Sequence, residues 1–176
     1  MDFTDHLAAH LGPGAAVPAD SPDGSAAVVI WRFENDESVS FATAGLAEPF
    51  GQELVCSVRP GQDGAGRFLL TTAVELVLKG ARGLENLQII RNNQPLLART
   101  GITGLLVATH PYLPAEFNTF GEVEIRSLIP LTDPEIFLAD AYGADVLTGL
   151  FEQEEPDLLD VTRAPVFDRR SGPIEN

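Results

Sequence analysis

Three runs of strand-type sequence follow one another before any long helical pattern, and this order most restricts what the chain can fold into. Val28 to Phe33 (VVIWRF) is apolar, with β-branched residues and an aromatic. After Glu34-Asn35-Asp36-Glu37, the stretch SVSFATAGL alternates and places Val39 and Phe41 on one face. These two runs read as a strand pair. A third strand follows at Glu53 to Arg59 (ELVCSVR), with Leu54, Cys56 and Val58 facing one way and Glu53, Val55 and Ser57 the other. Strands grouped early, with the last ordered elements helical, describe an α+β domain.

The remaining elements follow from periodicity and punctuation. Phe3, Leu7 and Leu11 recur at helical spacing in a short amphipathic helix over residues 2–11, which Gly12 and Pro13 end. Residues 12–25, rich in Gly, Pro and Ala, read as a loop or arm. Gly61 to Gly66 reads as a turn, and Phe68 to Arg82 as a helix with Leu69, Ala73, Leu76 and Val77 on its inner face. Thr72 and Glu75 have the spacing of a capping box. Residues 83–101 read as an irregular connection, Ile102 to Ala108 as a buried strand, His110 to Pro114 as a loop and Val123 to Leu131 as a strand. Asp133 as N-cap, Pro134 in the first turn and Glu135 then start a helix over 134–142, which Gly143 separates from a second over 144–153. The expected organisation is a helix and flexible arm over 1–27, a domain over 28–168 and a mobile tail over 169–176.

The lone Cys56 cannot form an internal disulfide, and the start MDFTDHLAAH lacks the basic and apolar runs of a secretory signal, so a cytoplasmic location is expected. No apolar stretch is long enough to span a bilayer. The net charge of −15 argues against binding nucleic-acid phosphates or anionic lipid. That charge is uneven. Asp133 to Thr162 holds nine acids and no Lys or Arg, whereas Gly64 to His110 holds two acids and five bases. Such a stretch serves either as a solvated face or as a dock for a basic partner.

No catalytic constellation, cofactor site or metal site emerges from the residues. His6 and His10 sit at i, i+4 without a third ligand at fixed spacing and without the Glu beside His6 that a zinc protease needs. His110 could serve Cys56 as a base, but a thiol on the apolar face of a strand reads as inert packing. Gly61, Gly64 and Gly66 are not in phosphate-loop order, and the one lysine, Lys79, lies inside a helix. Glu122 and Glu124 alternate with Val123 and Ile125, which makes them the wet face of a strand.

The second half, TGITGLLVATHPYLPAEFNTF, then LIPLTDPEIFLADAYGADVLTGLFE, then DVTRAPV, resembles the suppressor-of-fused domain family. The carrying features are Thr103-Gly104-Leu105, Pro111 to Pro114, Leu128 to Leu131 followed by Glu135, Gly143 between helices, and Asp160 with Arg163. Thr43-Ala44-Gly45-Leu46 followed by Glu53-Leu54-Val55 also fits, and the resemblance spans about 40–168. Ala47 departs from it, since a serine is expected after the Gly-Leu pair.

The resemblance implies an α+β fold with a mixed, largely antiparallel sheet flanked by helices, and no enzymatic activity. Animal relatives restrain a transcription factor by binding a peptide between two domains, and this chain has room only for the N-terminal-like module. Bacterial single-domain relatives are proposed immunity proteins against polymorphic toxins, and ten Arg to one Lys is compatible with a bacterial source. The expected function is therefore protein binding, as an immunity protein meeting a basic toxin domain. The alternative is a housekeeping module that captures a peptide, or its own copy in a homodimer, along a sheet edge. Asp133 to Phe151 matches the family's helical pattern, which leaves Glu152, Glu154, Glu155, Asp157 and Asp160 as the expected partner-binding residues.

Overall fold

The computed structural model describes residues 1–18 and 28–167 of the protein. The elements in chain order are α1 (Phe3–Leu11), β1 (Gly14–Ala16), β2 (Val29–Glu34), β3 (Val39–Ala44), α2 (Ala47–Phe50), β4 (Gln52–Val58) and α3 (Asp63–Gly80). They continue with β5 (Ile89–Arg91), β6 (Ile102–Ala108), a 3-10 turn (Ala115–Asn118), β7 (Thr119–Phe120), β8 (Val123–Thr132), α4 (Asp133–Tyr142) and α5 (Ala144–Glu154). The eight strands form one sheet in the order β1-β2-β3-β4-β8-β6-β5, with β7 alongside β8. Among the described residues only β4 and β8 run parallel, with Gln52 opposite Glu124 and Val55 opposite Ser127; the other pairs are antiparallel. The α+β class and the mixed, largely antiparallel sheet stand as the sequence implied.

Side-chain alternation divides the core between the two faces of the sheet. Leu54, Cys56 and Val58 of β4 join Val39, Phe41, Leu105, Val107 and Leu128 beneath Leu69, Leu70, Ala73, Val74 and Val77 of α3. The opposite face carries two apolar clusters. Leu7 and Leu11 of α1 pack on Phe33, Ala42, Val55, Phe117 and Ile125. Leu106, Ile129 and Leu131 support Ile136, Leu138 and Ala139 of α4, with Leu147 and Phe151 of α5. The helices therefore cover both faces, and β4 is buried along its whole length.

Several local readings need correction. The arm predicted over 12–25 contains β1, whose Gly14 to Ala16 pair with Phe33 to Trp31; residues 19–27 and the predicted tail lie outside the described residues. The turn at Gly61 to Gly66 gives way early, because α3 starts at Asp63. Thr72 consequently caps nothing, and its hydroxyl donates to the Phe68 carbonyl one turn back. Leu76 points outward, while Leu70 and Val74 take the inner face. The connection over 83–101 includes β5, which pairs with β6. The cap of α4 is Thr132, one residue before the predicted Asp133, and its N–H donates to the Glu135 carboxylate. Among the described residues, no helix is long and apolar enough to cross a membrane.

Candidate functional site

The five predicted partner-binding acids divide into two groups. Glu152, Glu154 and Glu155 are exposed on the last turn of α5 and its end, and none forms an ion pair among the described residues. Asp157 and Asp160 are held by the fold instead. Arg59 places Nε 2.6 Å from Asp157 Oδ2, while Asp157 Oδ1 accepts the Leu159 N–H. Asp160 Oδ1 accepts from Gln62 Nε2 at 2.7 Å and from the hydroxyl and N–H of Thr162. The Gln62 amide and then the Thr162 groups hold this carboxyl below the usual carboxylate range. Arg59 and Gln62 escape sequence reasoning because they lie 98 residues from the acids they bind.

Two buried carboxylates account for the patterns quoted from the sequence. Glu53 Oε1 accepts the N–H groups of Gly45, Leu46 and Ala47, and its Oε2 accepts the Thr43 hydroxyl. Gly45 makes this turn at φ +128°, a region that favours glycine. The Ala47 backbone supplies its share of the contact with no side-chain hydroxyl present. Glu135 meets Arg163 in an ion pair whose side chains are 0% and 5% exposed. Arg163 Nη2 also donates to the Pro130 carbonyl, and its guanidinium lies 5.6 Å from the Phe151 ring. The Val166 N–H completes the set by donating to Glu135. This cluster fastens the C-terminal segment to the end of β8. In the Thr103-Gly104-Leu105 run, a Cβ on Gly104 would stand 2.5 Å from the Ile90 carbonyl oxygen, so glycine lets β5 lie close against β6.

A polar seam separates the two apolar clusters of the α1 face. Ser40 and Ser57 hydroxyls stand 2.7 Å apart, and Ser57 Oγ lies 3.1 Å from His110 Nε2. Because His110 Nδ1 accepts the Tyr112 N–H, its proton belongs on Nε2, which donates to Ser57. Burial pushes the His110 pKa down to about 4, so the ring is neutral at physiological pH. The imidazole is therefore a donor to Ser57 and not a base for it. It does not reach Cys56, which faces α3 and whose thiol burial pushes up to about 12. The His6 and His10 rings lie 4.9 Å apart, tilted by 54°, and donate to the carbonyls of Phe117 and His6 respectively, one ring nitrogen each.

Between this seam and the exposed acids lies a groove of about 470 Å³. Ala108, Ile129, Phe151 and Leu158 provide apolar lining, and Thr148, Glu152 and Glu155 of the α5 side add polar groups. The Tyr112 hydroxyl donates to the Pro156 carbonyl at 3.0 Å and accepts the Leu158 N–H at 2.9 Å, which ties the His110 loop to the segment after α5. A second opening, of about 490 Å³, lies between α3 and Leu96 to Thr100 and is largely apolar.

Solved structures of the same shape include a suppressor-of-fused homologue from Neisseria gonorrhoeae, 16% identical with a TM-score of 0.72 over 94% of this chain and 95% of that one. The crystal structure of the Sufu-Fu complex matches at 14% identity and a TM-score of 0.65, over 93% of this chain and 90% of that one. Drosophila Suppressor of Fused matches at 16% identity and a TM-score of 0.61; the match covers 79% of this chain and 43% of the fly protein. These identities speak to the fold. Among curated proteins, the sequence finds no significant match. The family model of Suppressor of fused protein (SUFU) matches residues 32–164, a span that holds Glu53, Glu135 and Arg163 together with the strands they fasten, and the chain accordingly belongs to the suppressor of fused family.

Proposed function

We propose that the chain is a non-enzymatic protein-binding module whose partner is a basic protein, as an immunity protein neutralising a toxin domain would require. The carrying observation is the placement of Glu152, Glu154 and Glu155. All three crowd the C-terminal end of α5, where the helix dipole disfavours negative charge and no basic residue occupies the last turn. Glu155 also takes a left-handed backbone at φ +47°, where glycine is the usual occupant. Folding gains nothing from carboxylates in these places, whereas a basic partner would. The structure of the Sufu-Fu complex, which shares this fold, supports protein binding as the general mode. The unpaired, fully buried Cys56 suits a cytoplasmic place of action.

The test is association with the purified product of a toxin-like gene adjacent to this one. Replacing Glu152, Glu154 and Glu155 with Lys should slow association about tenfold at low salt, with the difference shrinking as salt rises. Absence of binding by any such neighbour, or an unchanged rate, would overturn the reading. A second reading rests on the sheet edges. β5 and β1 terminate the strand order, so either could accept a strand from a peptide or a second copy. A monomeric mass in solution would count against self-association.

A further inference from the structure

We propose that the groove between the His110 loop and the end of α5 is the seat for one arginine side chain of the protein partner. This deepens the protein-binding reading and rests on it. An arginine has an apolar stem and a head that only donates hydrogen bonds. The groove matches both parts. Ile129, Phe151, Leu158 and Ala108 offer apolar surface for the methylenes, and the carboxylates of Glu152 and Glu155 stand on the same wall for the guanidinium. Among the described residues no Lys or Arg lines it, and its histidine is neutral, with Nε2–H committed to Ser57 and Nδ1 to Tyr112. The Tyr112 hydroxyl is likewise occupied, by Pro156 and Leu158. Thr148 donates its proton to the Asp145 carbonyl, which leaves its oxygen free to accept.

A further observation points inward from the same place. His110, Pro111, Ile129 and Leu158 also line a small cavity of about 10 Å³ behind the groove, together with Ser57 and Ser127. Ser127 is 3% exposed, and its Oγ finds no hydrogen-bond partner among the described residues. A buried hydroxyl in that condition costs stability unless something meets it. The groove itself presents the Glu152 and Glu155 carboxylates and the Thr148 oxygen as acceptors, and the unpartnered Ser127 hydroxyl lies in the cavity behind it. Guanidinium suits it better than ammonium, because a planar fork can engage two carboxylates while lying against an aromatic ring. Phe151 already holds one guanidinium in this manner, that of Arg163.

The experiment is a titration of the isotope-labelled protein with the capped tripeptide Gly-Arg-Gly, followed by amide NMR shifts. Isosteric Gly-citrulline-Gly and Gly-Lys-Gly serve as controls. Saturable shifts are expected at Tyr112, Thr148, Glu152, Glu155 and Leu158. Binding should be about fivefold weaker for citrulline, and for the Glu152→Gln/Glu155→Gln protein, as the loss of two exposed charge pairs predicts. Thr148→Trp, which fills the groove, should abolish the shifts while the rest of the spectrum stays native. Non-saturable shifts, or equal affinity for citrulline, overturn the proposal, and equal affinity for lysine overturns the choice of guanidinium. If the tripeptide fails while the neighbour-encoded protein still binds with an acid-dependent rate, the groove assignment falls and the protein-binding reading stands.

Discussion

Arg163 closes on Glu135 from 28 residues away, where the last stretch of the chain crosses the end of β8, and both side chains are sealed from solvent. Thr132, Pro130 and Val166 supply backbone partners on either side, while the buried Arg163 Nε has no hydrogen-bond partner among the described residues. Removing one member leaves the other as a buried charge, so Glu135→Gln or Arg163→Met should destabilise the protein by about 3–5 kcal/mol. The double variant Glu135→Leu/Arg163→Met should recover part of that loss. Denaturant midpoints measure both, and additive losses would show that the pair is not coupled.

Acidification should weaken the fold through His110. Its folded pKa of about 4 lies below the ordinary 6.5, so the unfolded chain binds more protons between those values. The stability is complete above pH 6.5 and drains away as the pH falls towards 4, by about 3 kcal/mol at most. Asp160, held low chiefly by Gln62, acts in the same direction but below the ordinary carboxylate value of 3.8, in a more acid window. Urea unfolding of wild type and His110→Gln at pH 7, 5.5 and 4.5 separates the two, and the variant should show a flatter dependence over that range.

Cys56 should be silent to alkylating agents in the native protein. Its thiol is wholly buried under α3 with a pKa of about 12, so reaction requires opening of the sheet. Labelling at neutral pH should run at least about 10³-fold slower than in the denatured chain, the factor set by ordinary global stability. Rapid native labelling would place the thiol at a surface.

The acids of the C-terminal stretch should separate by stability as well as by binding. Asp160→Asn weakens the acceptor that serves Gln62 and Thr162, and a loss of about 1–2 kcal/mol is expected. Glu154→Lys relieves a carboxylate at the negative end of α5 and should leave stability unchanged or raise it by about 0.5 kcal/mol. Thermal midpoints of the two variants should therefore shift in opposite directions or by clearly different amounts.

Periodicity revealed the long elements because each had a face to bury. β6 and β8 match their apolar runs to within a residue, and α4 and α5 divide at Gly143 as the sequence showed. β1 and β5 escaped notice because three residues at a sheet edge bury too little to leave a pattern. The start of α3 was hidden by Gly64 and Gly66, which read as turn residues. Gly66 instead lets the helix approach the sheet, since a Cβ there would meet Val58 and Phe41 at about 3 Å. At the candidate site the exposed glutamates were legible, because a charge run is visible locally. Nothing local distinguished Asp157 or Asp160 from them, as their partners Arg59 and Gln62 arrive from another part of the chain.

The parallel contact between β4 and β8 sets an order of assembly. Gln52 of β4 waits for Glu124 of β8, 72 residues later in synthesis. Until β8 has left the ribosome, β4, which the finished fold buries along its whole length, is an open edge, and the closing contact from Arg163 comes later still. Such distant pairing makes folding slow relative to a meander of the same size. The interval in which that edge lies bare is when a nascent chain most needs a chaperone, well before its surface acids have any partner to meet.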